Sequence, residues 1–124
     1  MRHKGQAMVE FAVVIGIALL LAIGAIQVLH AYYLTRQTRA AAEEIASLAA
    51  ARGGDSEEVR ARATEILDLH RLDPSRAELE IVPSFAPYLE PITVTLSYGA
   101  VIRFYGLFDL PIPPQRVLRL SEGG

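Results

Sequence analysis

The sequence predicts an α+β fold: a long N-terminal transmembrane helix that extends outward, then a second helix and a small antiparallel β-sheet. Three observations predict it. From Phe11 to Ile26 no side chain is polar, and Val28 and Leu29 beyond Gln27 bring the stretch to the roughly 20 residues a helix needs to cross hydrocarbon. From His30 to Arg52 there is no proline and the composition favours helix. After Pro74 the apolar period falls from helical to two.

The first helix is apolar on every face through the span, which a buried helix of a soluble protein rarely is. It is expected to leave the membrane unbroken. Leu34, Ala41, Ile45 and Leu48 then form a stripe suited to packing, with Arg36, Arg39, Glu43 and Glu44 on other faces. Tyr32 and Tyr33 fall where interfacial aromatics sit. Gly53-Gly54 is expected to end the helix, since glycine suits the left-handed position after a C-cap. Asp55 with Glu58 has capping-box spacing for a second helix, with Val59, Ala63, Ile66 and His70 on one face through to about Leu72. The Gly-Gly linkage fits an antiparallel helix pair or a bend of another angle.

Strands are expected at Glu78–Val82 and at Ile92–Tyr98, the latter with Ile92, Val94, Leu96 and Tyr98 on one face. Pro83, Pro87 and Pro91 mark the loop between them. Ala100 to Phe108 reads equally as a strand or a short helix. A last strand, Gln115–Leu120, follows the cluster of Pro111, Pro113 and Pro114.

At 124 residues the chain has room for about one domain. Apolar residues make up 52% of it, above ordinary globular usage and consistent with a span beside a small core. The formal net charge of −2 lacks the concentrated basic surface that phosphate binding requires, so no nucleic-acid partner is expected. With no cysteine there is no disulfide framework and no thiolate metal site.

The N-terminus carries the most specific pattern. Arg2 and Lys4 precede the span, and basic flanks stay on the cytoplasmic side, putting the N-terminus inside. Arg36 and Arg39 beyond the span oppose that bias, leaving a reversed insertion as the alternative. Ala22 and Ala25 could mimic a secretory cleavage site, but no polar exit region follows them. Gly5 is followed by four residues, then Glu10, Phe11 and at once the apolar run. An acid at the bilayer centre costs about 2.5–3.5 kcal/mol, less near the interface. The plain reading of Glu10 is a helix-start carboxylate favoured by the macrodipole.

Taken together, the basic leader, Gly5, Glu10-Phe11 and the span resemble the class III signal of type IV pilins. The G-x-x-x-x-E-F form looks most like the Flp and TadE group of the Tad system. The outer portion with late strands is similar to TadE-like (TadE/TadG-type) proteins rather than to the shorter Flp pilins. The resemblance implies a minor pilin or pseudopilin in the bacterial inner membrane, divided into a cleavable leader (1–5), a transmembrane region (6–34) and an extracytoplasmic α+β domain (35–124). It implies processing between Gly5 and Gln6 by a prepilin peptidase, and an assembly role for Glu10 and Phe11. Losing Arg2 and Lys4 would take the 12 basic residues to 10 against 14 acidic, moving the net charge from −2 to −4. The expected partners are the membrane, the peptidase and other pilin subunits of Flp and TadF type, with no small-molecule substrate and no cofactor.

Two other classes compete: an uncleaved single-pass adaptor, and a membrane-tethered hydrolase. For the last, His3, His30 and His70 offer no i, i+4 zinc pair. Asp68, His70 and a serine lack a nucleophile elbow, and Gly53-Gly54-Asp55-Ser56 lacks the lysine of a phosphate-binding loop. Glu43-Glu44 and Glu57-Glu58 are adjacent on helices and do not face each other. His70 reads as a helix-end residue. An enzyme is therefore not expected.

Overall fold

The computed structural model describes residues 2–123. Helix α1 runs unbroken over Arg2–Ala51, 50 residues, or about 75 Å at 1.5 Å per residue. It is followed by α2 (Glu57–Leu69), a 3-10 turn (Pro74–Arg76), and strands β1 (Ala77–Val82), β2 (Pro91–Tyr98), β3 (Val101–Phe104), β4 (Phe108–Pro111) and β5 (Gln115–Leu120). The predicted α+β class is what the structure shows.

Helix α1 ends where the glycines demand it. The Gly54 amide donates to the Ala49 carbonyl at 2.9 Å and the Gly53 amide to Ala50 at 3.3 Å, with Gly53 at φ 75°. These paired bonds satisfy carbonyls that the helix end would leave open. Gly54 has a second reason to be glycine. At φ +136°, a Cβ there would lie 2.8 Å from the Ser84 carbonyl carbon and 3.0 Å from Phe85 Cα. The proline-rich loop is thus stitched onto the turn, with Asp55 N–H donating to Ser84 O (2.7 Å) and Ala86 N–H to Gly53 O (2.9 Å).

The N-cap of α2 is Ser56, not Asp55: its hydroxyl accepts from the Val59 amide at 3.2 Å. Asp55 is instead drawn off by Arg60, which holds both carboxylate oxygens at 2.8 and 2.9 Å. The helix also stops sooner than the expected Leu72, at Leu69, with His70 as C-cap. Arg71 takes the left-handed conformation (φ 59°). Its amide donates to Asp68 O at 3.0 Å, and the Leu72 amide to Leu67 O at 2.9 Å. The buried face accordingly runs Val59, Ala63, Leu67, whereas Ile66 and His70 lie at its half-buried edge. Helix α2 folds back antiparallel on α1: Arg52 near the turn pairs with Glu58 at 2.9 Å, and His70 at the far end lies against Gln37 and Glu44.

Strands β1, β2 and β5 form one antiparallel sheet with β2 in the centre. The register sets Ile81 opposite Val94 and Val94 opposite Val117, so the apolar side chains share a face. Ile92, Val94 and Leu96 are fully buried on it, each burial contributing about 1.5–3 kcal/mol. This face meets α1 along Thr38, Ala41, Ala42, Ile45, Ala46 and Ala49, all fully buried. The alanines let backbone layers approach closely. The expected stripe was right in Ala41 and Ile45, but Leu34 and Leu48 are only partly buried at its margin. Arg39 ties the layers at the edge, donating to the Arg116 carbonyl at 2.9 Å while pairing with Glu43 at 3.1 Å.

The ambiguous segment Ala100–Phe108 resolves as extended chain. Strands β3 and β4 form a separate hairpin with Phe104 opposite Phe108, turning at Tyr105 and Gly106, both at positive φ.

Candidate functional site: the bare end of the long helix

Gly5, Gln6, Glu10 and Phe11 all lie on α1, and all are exposed. From His3 to Ile23 every residue is exposed, and Gly24 is the first buried position. Among the described residues, no distant group is gathered around the four. Gln6 and Glu10, four apart and therefore stacked on one helix face, make a marginal contact: Gln6 Nε2 donates to Glu10 Oε1 at 3.5 Å. Among the described residues that is the one hydrogen bond of the Glu10 carboxylate. A Cβ at Gly5 would meet nothing within 4 Å, so packing does not call for glycine there. Gly16 is equally unobstructed, but lies within the span, where small residues let helices approach.

The bare stretch is the one helix of the described residues long and apolar enough to cross a membrane, and almost none of it is buried by the rest of the chain. Its side chains need a cover that water does not supply. At its far end the β3–β4 hairpin reaches back onto it. The Tyr105 amide donates to Gln27 Oε1 at 3.0 Å, and the Tyr105 hydroxyl donates to the Leu20 carbonyl. Gly24 makes room for this ring, since a Cβ there would lie 2.8 Å from Tyr105 Cζ. In the sequence Gln27 only interrupts the apolar run, and nothing there pairs it with Tyr105. The available signal was a lone amide in an otherwise apolar stretch, which requires a hydrogen-bond partner.

Elsewhere several polar groups are committed to structure. Arg60 bonds both Asp55 and the Leu79 carbonyl (3.0 Å), and the hydrogen bond to Asp55 raises its pKa above the ordinary guanidinium value. Those two side chains line a shallow cleft of about 350 Å³ with Ser56, Glu57 and Ser84. His70 has its ring nitrogens 3.3 Å from Gln37 Oε1 and 3.1 Å from Glu44 Oε2, joining α2 to α1. Among the described residues no group of three or more His, Asp or Glu is placed to hold a metal ion.

A long bare apolar helix carrying a small α+β unit at one end has the architecture of a single-pass membrane protein. Its N-terminal segment is TadE-like: residues 5–47 match the family model described as TadE-like protein. The match runs from Gly5 through the span to the helix stretch that packs on the sheet. No curated protein and no solved structure matches the chain significantly.

Proposed function

We propose that the chain is a non-enzymatic minor pilin or pseudopilin acting in assembly of a Tad-type pilus, anchored with its N-terminus inside and its α+β domain (35–124) extracytoplasmic. A prepilin peptidase removes residues 1–5, leaving Gln6 as the mature N-terminus and 6–34 as the membrane region. The observation that carries the reading is the TadE-like match, which begins at Gly5, together with a Glu10 whose one bond among the described residues is the marginal one to Gln6. After cleavage, the new α-amino group of Gln6 is a cation near the membrane surface, and it pairs with the Glu10 carboxylate of a neighbouring subunit as both leave water. Phe11, 67% exposed, packs beside that contact.

Sequencing the N-terminus of the protein purified from membranes that contain the peptidase tests the cut. A chain starting at Gln6 is expected, and an intact Met1 would overturn the claim. Glu10→Ala is expected to abolish incorporation into the pilus or its assembly complex while leaving the chain in the membrane.

The competing reading is an uncleaved single-pass adaptor, which keeps residues 1–5. The same N-terminal sequencing separates the two.

A further inference from the structure

We propose that the β3–β4 hairpin is a second membrane element, with its tip, Tyr105 to Phe108, bedded among lipid acyl chains beside the span. The proposal rests on the reading of α1 as a membrane span. Leu20 is the midpoint of the apolar stretch Phe11–Leu29, and the Tyr105 hydroxyl bonds to its carbonyl. Gln27, which accepts from the Tyr105 amide, stands seven residues on, about 10 Å along the axis from that midpoint. Half of a hydrocarbon core is roughly 15 Å. Whatever surrounds Leu20 to Gln27 therefore also surrounds the tip, and around a lone span that is lipid.

The chemistry of the tip fits this cover. Leu107 is 80% exposed and Phe108 54% exposed, which water would penalise and acyl chains do not. An apolar groove of about 470 Å³ between Phe104 and Tyr105 on one side and Leu21, Val28 and Leu29 on the other continues the lipid-facing surface of the helix. A polar backbone group in hydrocarbon must find a partner within the protein. Two backbone donors of the tip have one, Tyr105 N–H at Gln27 and Leu107 N–H at Phe104 O (3.0 Å), and the Tyr105 hydroxyl donates to Leu20. The polar pair of the hairpin, Arg103 and Asp109 at 3.3 Å, sits behind the tip, two residues before Tyr105 and one after Phe108, or about 3–7 Å of strand. That sets it near headgroup level, as are Tyr32 and Tyr33 on α1, whose position about 18 Å from Leu20 follows from the helix rise.

The chain has no tryptophan, so one introduced indole is an unambiguous reporter. Full-length Ile17→Trp, Leu107→Trp, Phe108→Trp and Leu118→Trp variants would be reconstituted into phosphatidylcholine–phosphatidylglycerol vesicles with and without bromine on the acyl chains. Leu107 and Leu118 are exposed, so neither substitution disturbs the core. The expected result is that the span reporter (I17W) and both tip reporters lose most of their emission to bromine, while the sheet reporter (L118W) keeps its own. Quenching of I17W without quenching of L107W and F108W would overturn the proposal and leave the span standing. An unquenched I17W would overturn the span and the proposal with it. Blue-shifted but unquenched tip reporters would mean that a second copy of the chain covers the hairpin instead of lipid, which also overturns it.

Discussion

The backbone amide of Tyr105 and the side-chain oxygen of Gln27, 78 residues apart in sequence, form a 3.0 Å hydrogen bond that pins the hairpin to the long helix. Its removal leaves a donor unpaired beside apolar side chains, which costs about 1–3 kcal/mol. Gln27→Ala is therefore expected to speed hydrogen exchange at the Tyr105 amide. Gly24→Val, which drives a side chain into the Tyr105 ring, should speed exchange across Val101–Pro111 while leaving the β1–β2–β5 sheet protected. Equal loss of protection in both sheets would show that the hairpin is not a separate unit.

At the turn between the helices, Gly54→Ala combines a disfavoured φ with contact against the backbone of Ser84 and Phe85. The expected loss is more than about 2 kcal/mol, read from the urea midpoint of the detergent-solubilised protein.

Arg71 occupies at the end of α2 the same left-handed position that Gly53 holds at the end of α1. Its side chain is exposed and the helix end is otherwise complete. Arg71→Gly relieves the Cβ strain, against a smaller entropic cost in the unfolded chain, and is expected to stabilise by up to about 1 kcal/mol. Gly53→Ala should shift the midpoint in the opposite direction.

The cap of α2 separates two carboxyl-bearing alternatives from a hydroxyl. Ser56→Ala is expected to cost about 1 kcal/mol, measured in the same denaturation. Glu58→Gln should change little, because Glu58 pairs with Arg52 at the surface and exposed pairs contribute little.

Asp73 gives the pH dependence. Its carboxylate accepts from the Ser75 hydroxyl at 2.7 Å and from the Ser75 amide at 3.0 Å, and these bonds hold its pKa below the ordinary carboxylate value. A depressed pKa stabilises the fold above the unfolded value, and that contribution disappears as pH falls through the folded one. Asp73→Asn lacks that contribution, so its stability should fall less steeply as pH drops through and below the usual carboxylate range, while the two pH slopes are equal near neutrality.

Much of this architecture was legible because single residues dictate it. The apolar run, the paired glycines at 53 and 54 and the alternation of Ile92 to Tyr98 each have one structural solution. The errors arose where two residues compete for a role. Asp55 and Ser56 are both good caps, and only the position of Arg60, one turn on, decides which is free to cap. Ile66 and Leu67 are both apolar, and which one faces inward depends on the angle at which α2 returns. The hairpin was hidden because Val101, Ile102 and Phe104 put apolar side chains on both faces around the single charge of Arg103, which blurs the period of two. The bare N-terminal end was legible as a motif, and the contacts proposed for it lie with other molecules, which a single chain does not contain.

Among the described residues, the hydrophobic core draws on α1 from Ala31 onward and on nothing before it. The two halves of one continuous rod thus answer to different solvents. In the pilin role proposed above, a subunit passes from bilayer to fibre by exchanging the cover of residues 6–30, with the folded unit carried along intact. The hairpin is the exception to that free passage. It would have to be lifted out with the helix, so the bond between Tyr105 and Gln27 would travel with the subunit and bring a second apolar surface to whatever neighbour receives it.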